Sequence, residues 1–236
     1  METINLSIVL PVFNPCLGWS ELIVKQFRAI EVHFFNLKLE LIVVNDGSTN
    51  VIFEKGKTVL ETLPNCKVIS YEINKGKGHA LRQGVMAARA SVVVYTDIDF
   101  PYSFLSFQNI STTLLQNEAD VAIGVKDKNY YKQVPPFRKF ISKLLRFFIR
   151  TTLRIPTDDT QCGLKGMNQK GKTIFLQTTI DRYLFDLEFV FLCAREKSLR
   201  LNTQEVFLRE DVAFRKMNWR ILLPEAGNFL KILWRR

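Results

Sequence analysis

The 236-residue sequence has no apolar run long enough to cross a bilayer. Its most apolar stretches, such as residues 5–13 and 39–44, have the length of a strand. Its first residues, Met1-Glu2-Thr3, lack the basic and apolar regions of a secretory signal, so a cytoplasmic protein is expected. The four cysteines, Cys16, Cys66, Cys162 and Cys193, are scattered with no CxxC pair, and the only histidines are His33 and His79. That argues against a zinc site and for free thiols. There is no Ser-His-Asp arrangement and no Cys-His pair. Acidic residues are missing altogether from residues 128–156.

That acid-free segment is where the charge lies. It holds Lys128, Lys132, Arg138, Lys139, Lys143, Arg146, Arg150 and Arg154, eight of the charges behind a net +10. A local basic patch implies a polyanionic partner: anionic lipid, a phosphorylated substrate or nucleic acid. Residues 137–155 have a helical period, with Phe137, Ile141, Leu144 and Phe148 on one face and Lys139, Lys143, Arg146 and Arg150 on another. Such a helix can lie in a headgroup boundary, or pack on a core with its basic face in solvent. Residues 229–236 form a second basic amphipathic stretch.

With 47% hydrophobic and 24% charged residues the composition is that of a globular protein. Apolar strand patterns at residues 4–12, 39–45, 67–71, 91–96 and 120–124 alternate with helical ones at 21–35, 51–63, 77–90 and 101–116. This spacing predicts βαβ units and a mostly parallel sheet with helices on both faces. The second half is less regular: a loop and strand at 161–167, a helix at 183–196 and a strand at 200–208. A single domain over 1–236 is expected, with residues 1–125 as the ligand-binding half and 126–236 as a second half carrying the basic helix.

In such sheets ligands bind beyond the carboxyl ends of the strands, and the polar motifs fall there. Asp97-Ile98-Asp99 follows a strand, and in an extended chain its two carboxylates point the same way. A hard cation, Mg²⁺ or Mn²⁺, would offset their repulsion and share its shell with substrate phosphates; a solvated turn explains the pattern too. Asp46-Gly47-Ser48 suits a nucleobase contact, or a turn in which Asp46 or Ser48 caps the next helix. Asn74-Lys75-Gly76-Lys77-Gly78 opens a helix, so it can cradle a phosphate or serve as a plain βα turn. Asp159 and Lys165 lie six apart, consistent with a surface salt bridge, and Asp186 and Glu188 with a solvated helix face.

Pro11-Val12-Phe13-Asn14, Val43–Ser48, Asn74–Gly78, Asp97–Asp99, the stretch Asp159-Thr160-Gln161-Cys162-Gly163-Leu164-Lys165 and Phe185-Asp186-Leu187-Glu188 occur in the order found in family 2 glycosyltransferases, which the chain resembles over residues 4–208. The last two stretches resemble the dolichyl-phosphate β-glucosyltransferase branch, near the polyprenyl-phosphate sugar synthases. The resemblance implies a GT-A fold, a nucleoside diphosphate sugar donor such as UDP-glucose, Mg²⁺ or Mn²⁺, inversion at the anomeric carbon and a polyprenyl phosphate acceptor. Carried over, Pro11, Asn14, Asp46 and Gly47 line the nucleoside pocket and Lys77 lies near the diphosphate. Asp97 and Asp99 hold donor and metal, and Asp159 and Lys165 flank the acceptor phosphate. Arg138, Lys139, Lys143, Arg146 and Arg150 would meet the membrane peripherally.

Three features depart from that pattern. Pro15 stands where an acidic residue usually follows Asn14. Phe100-Pro101 follows the Asp97–Asp99 motif where mannose synthases resemble one another in carrying a nearby Gln. No transmembrane helix is present, which leaves room for a separate membrane-anchoring subunit. A transferase of the same fold with a hydroxyl acceptor is the nearest alternative. A non-enzymatic nucleic-acid module is the other, but the phenylalanines of the basic segment share an apolar helix face and do not form an obvious stacking platform, so no nucleic-acid partner is expected.

Overall fold

Alternate residues of the central strands are buried on opposite sides of one sheet. Leu6, Ile8, Leu10 and Val12 enter one core with Leu41 and Val43, while Val9, Ile42 and Val44 enter the other. A strand buried on both faces reads as a continuous apolar run, which is why these segments show no polar alternation. The computed structural model describes residues 3–127, 136–153, 155–157, 159–210, 212 and 222–235. Lys128, Lys132, Arg154 and the side chain of Arg138 lie outside the described residues.

The first half runs β1 (Leu6–Val12), α1 (Trp19–His33), β2 (Leu39–Asp46), α2 (Val51–Leu60), β3 (Cys66–Tyr71), α3 (Lys77–Ala87), β4 (Val92–Tyr95), α4 (Phe104–Leu115) and β5 (Val121–Lys126). There follow α5 (Pro136–Thr152), β6 (Lys165–Met167), α6 (Gln169–Phe175), α7 (Phe185–Arg195), β7 (Leu201–Val206) and α8 (Leu222–Trp234). All seven strands join one sheet in the order β3-β2-β1-β4-β6-β5-β7. Strands β3, β2, β1 and β4 are parallel, β5 pairs parallel with β7, and β6 is antiparallel to both β4 and β5. Helices α1, α2 and α4 cover one face, and α3, α6 and α7 the other, with Ile149 of α5 and Ile232 of α8. The expected α/β architecture, mostly parallel with helices on both faces, is the one observed.

The chain leaves β1 towards β3 and then returns to place β4 on the other side of β1. That reversal of strand order is a topological switch point, the place where open α/β sheets bind ligands. Pro101 precedes α4 instead of starting it; Ser103 caps that helix by accepting from Ser106 N at 3.2 Å. Neither Asp46 nor Ser48 caps α2, since Asn50 accepts from Phe53 N at 3.1 Å. The short α6 had no counterpart in the periodicity.

The basic helix α5 buries Ile149 and packs Leu145 against the same core. Of the apolar face read from the sequence, Leu144 and Phe148 are exposed, and Phe140 and Phe147, each 61% exposed, stand beside them. Counted at 100° per residue, Lys139, Lys143, Arg146 and Arg150 form a flank between the buried stripe and this outward apolar stripe. The four cysteines are free, as expected. Burial, helped by the Glu61 carboxylate, pushes the Cys66 thiol up to about 12.

Candidate active site

Four loops meet at the carboxyl ends of the parallel strands. Asn14, just past β1, takes a left-handed conformation (φ 43°), which asparagine tolerates better than most residues. Its amide donates to Ser48 Oγ at 2.9 Å, and its side-chain Oδ1 accepts from Thr49 N at 3.0 Å. The loops after β1 and β2 are thereby stitched together. Pro11 is half-buried in β1 opposite Val44.

Asp46, at the end of β2, is buried, and its carboxylate is committed to the next loop. It accepts from Tyr71 Oη, Asn74 Nδ2 and Lys75 N, each at 2.8 Å, and from Gly76 N at 2.9 Å. Gly47 turns the chain against the backbone of Ile73 and Asn74. Gly76 has φ 111° and lies so close to Asp181 that an added Cβ would sit 2.5 Å from the Asp181 carbonyl oxygen. This glycine therefore serves packing within the protein. Of the residues expected to touch a nucleoside, Asn14 and Asp46 build the frame of the site with their own polar atoms.

What that frame presents is Lys77 and Asp97. Lys77 opens α3, and its Nζ lies 2.6 Å from Asp97 Oδ1, with the two side chains 26% and 38% exposed. Burial opposes the Lys77 charge, but the carboxylates of Asp97, Asp186 and Asp99 outweigh it and raise its pKa above the ordinary lysine value. Strand β4 ends at Tyr95, and the chain turns: Phe100 N donates to the Asp97 carbonyl at 3.0 Å, and Phe100 has φ 43°. Asp97 and Asp99 therefore sit on a turn and not on the extended chain expected. Asp97 is half-buried beside Lys77, while Asp99 is exposed.

The loop leading into β6 closes the site from the other half of the chain. A Cβ on Gly163 would fall 2.4 Å from Asp97 Oδ2 and 3.6 Å from Lys77 Nζ, so only glycine permits this approach. Asp159 and Lys165, expected together at the surface, take separate partners in the interior. Asp159 is buried, with Oδ2 accepting from Lys126 N at 2.7 Å and Oδ1 from Lys126 Nζ at 2.9 Å. Lys165 is 0% exposed and donates to Asp186 Oδ1 at 2.7 Å and to the Cys162 carbonyl. The Lys165 ammonium is thus committed to partners within the protein. Asp186 and Glu188 are likewise buried and not solvated. Glu188 accepts from Thr179 N and Ile180 N, each at 2.8 Å, and pairs with Arg235 beyond α8.

Residues that the sequence did not single out complete the arrangement. Lys126 neutralises Asp159, and Tyr95 donates to Asp186 at 2.7 Å. Tyr102 Oη accepts from Gly163 N at 3.2 Å. The signal for Lys126 was available in principle, because a buried carboxylate requires a partner.

Among the described residues no group of three or more histidine, cysteine or carboxylate side chains is positioned to hold a metal ion. Asp97 and Asp99 still offer two hard oxygen donors at the strand end. That set fits Mg²⁺ or Mn²⁺, which commonly bind one or two carboxylates and fill their remaining positions with phosphate oxygens and water.

The profile of the family described as glycosyl transferase family 2 matches residues 7–172. A dolichyl-phosphate beta-glucosyltransferase from Dictyostelium discoideum is 23% identical over 208 residues, covering 83% of this chain and 64% of the relative. The corresponding protein of Saccharomyces cerevisiae is 26% identical over 222 residues, again covering 83% of this chain and 64% of the relative. The chain thus spans just under two thirds of the length of these relatives. In fold it is similar to glucosyl-3-phosphoglycerate synthase from Mycobacterium tuberculosis, solved in complex with Mn²⁺, UDP-glucose and glycerol 3-phosphate. The TM-score is 0.62 at 17% identity, over 98% of this chain and 79% of that one.

Proposed function

The chain belongs to glycosyl transferase family 2, and from that premise we propose that it transfers glucose from UDP-glucose to a polyprenyl phosphate, with inversion, at the cytoplasmic surface of a membrane. The observation that carries this reading is the Lys77–Asp97 pair, 2.6 Å apart at the switch point with Asp99 two residues on. The names of the relatives support the lipid phosphate as acceptor and glucose as the sugar.

Asp97 and Asp99 would hold Mg²⁺ or Mn²⁺, which when bound neutralises charge on a leaving nucleoside diphosphate. Lys77 stays protonated and faces the same diphosphate. Asn14, Asp46, Gly47 and Pro11 shape the wall on which the nucleoside rests. The acceptor phosphate has a second pKa of about 6, so it is already an anionic nucleophile at neutral pH and needs no strong general base. Its oxygen bonds to the anomeric carbon as the bond to the diphosphate breaks, with that electron pair leaving on the diphosphate. A single displacement of this kind inverts the configuration.

The membrane side of the proposal rests on α5 and α8. The outward stripe Phe140, Leu144, Phe147 and Phe148 is flanked by Lys139, Lys143, Arg146 and Arg150. Phe148 meets Phe229 of α8 with ring centroids 6.3 Å apart, and α8 adds the exposed Leu230 and Trp234. Apolar side chains beside cations suit an anionic headgroup boundary. Among the described residues no helix is long and apolar enough to cross a membrane; the proposal is peripheral contact through this surface, with a separate anchoring subunit as a second means of attachment.

A thermal-shift panel of UDP- and GDP-sugars with and without Mn²⁺ tests the donor. A ligand at a hundred times its Kd adds about 2.7 kcal/mol, so UDP-glucose with Mn²⁺ should raise Tm by several degrees. Stabilisation by GDP-mannose with none by any UDP-sugar would refute the assignment.

A further inference from the structure

Lys165 is the largest fully buried charged side chain among the described residues, and the reaction proposed above gives it nothing to touch. It lies in β6 between Tyr95 of β4 and Ile123 of β5. Its ammonium is 2.7 Å from Asp186 Oδ1, also donates to the Cys162 carbonyl, and stands 5.8 Å from the centre of the Tyr95 ring. Tyr95 Oη donates to the same Asp186 Oδ1 at 2.7 Å. One carboxylate oxygen thus receives a donor from β4 and a donor from β6.

Those two donors sit on the chain segments that form the candidate site. Tyr95 is two residues before Asp97. Cys162, whose carbonyl Lys165 holds, is one residue before Gly163. Gly163 and Asp97 approach so closely that a Cβ would fall 2.4 Å from the Asp97 carboxylate. A buried ion pair is weak evidence for stability, because apolar side chains of similar size pack the same space as well or better. What apolar groups lack is the means to hold the Cys162 carbonyl, which accepts from Lys165 Nζ, and the Tyr95 hydroxyl, which donates to Asp186 Oδ1, through one ion pair.

We infer that Lys165, with Asp186 and Tyr95, is a positioning residue that sets Gly163 against Asp97, and so aligns Asp97 for the metal and diphosphate of the donor. The inference rests on the donor reading proposed above and assigns Lys165 to the donor side of the reaction. Contact with the acceptor phosphate is the competing role.

The test uses the double variant Lys165→Met with Asp186→Leu, which removes both charges together and leaves neither buried alone. Binding of UDP in Mn²⁺ is measured by calorimetry, the KM for a short-chain polyprenyl phosphate by turnover, and Tm as a control of folding. Loss of a group that orients a metal ligand typically costs 10–100-fold in metal affinity or activity. The expected result is Mn²⁺–UDP binding weaker by at least about tenfold, an unchanged acceptor KM and a Tm within a few degrees of the wild type. A raised acceptor KM with unchanged Mn²⁺–UDP affinity would overturn the inference, and so would no change in either. A wild type that binds no UDP in Mn²⁺ would instead remove the donor reading, and the inference with it. If the double variant does not fold, Tyr95→Phe carries the same measurements: it deletes one hydroxyl, and weakened UDP binding with intact acceptor KM supports the inference, while unchanged UDP binding overturns it.

Discussion

The Lys77–Asp97 and Lys165–Asp186 pairs close at 2.6 and 2.7 Å, but the first is 26% and 38% exposed and the second 0% and 5%. Water competes for the first, so a diphosphate or a cation can displace either partner at modest cost. The second has no access to solvent, and each charge depends on the other. The same two residue types therefore serve two purposes at one end of the sheet. On the donor reading proposed above, the open pair is where ligands exchange, and the closed pair holds the backbone that the open pair rests on.

The sharpest way to break this comparison is to unbalance the closed pair. Lys165→Met alone strands the Asp186 charge in the core and should lower stability by about 3–5 kcal/mol, while adding Asp186→Leu restores most of it. Urea unfolding of both variants checks this; a single variant no less stable than the double would mean that the pair is not a coupled unit. Next in size is the open pair. Asp97→Asn should reduce kcat/KM about a hundredfold, roughly 2.7 kcal/mol of transition-state stabilisation, with little change in Tm. Steady-state rates at saturating Mn²⁺ supply the check, and a change under threefold would remove Asp97 from the site.

Much of this contrast was hidden in the sequence for a physical reason. The parallel strands were legible because burial on both faces leaves continuous runs such as Leu41–Val44, and their ends fell on Asn14, Asp46 and Asp97. The open pair's members were both found, because each follows a strand. Lys165 and Asp186 were named as well, but neither their burial nor their pairing was legible. Strand β6 is three residues long and begins with the buried lysine, so Lys165-Gly166-Met167 carries neither an apolar run nor an alternation. Asp186 and Glu188 read as solvated because the groups that neutralise them come from Lys165, Tyr95 and Arg235, which are distant in the chain. Asp97–Asp99 was legible as a motif, but its conformation was not, since the turn depends on Phe100 being buried at positive φ.

A third pair, Asp120 with Arg200, serves as a control away from the site. Arg200's guanidinium, Arg200 N at 2.9 Å and Asn168 Nδ2 at 2.7 Å hold the buried Asp120 carboxyl well below the ordinary aspartate value. A carboxylate whose folded pKa is depressed contributes stability that is fully present above its unfolded pKa of about 3.9 and is lost as pH falls through the lower folded value. Asp120→Asn should cost about 1–3 kcal/mol at pH 7, and its deficit should shrink as the wild type is acidified below pH 4. UDP binding should be unaffected. A weakened UDP affinity in this variant would show that any loss of stability mimics the effect assigned to Lys165. The smallest expected effect is at the far surface. Lys143→Glu should weaken binding to anionic liposomes by about 1 kcal/mol or somewhat more, with the difference fading as salt rises. Sedimentation with phosphatidylserine vesicles at two salt concentrations measures it, and identical partition at low salt would move the membrane contact away from α5.

The account as a whole turns on the open pair being a donor site. Calorimetric titration of UDP-glucose into the protein in Mn²⁺, repeated with GDP-mannose, in excess EDTA and with Asp97→Asn, is the most direct test. The account predicts saturable binding of UDP-glucose that is lost in EDTA and in the variant. Undiminished binding in EDTA, or binding of GDP-mannose with none of UDP-glucose, would contradict it.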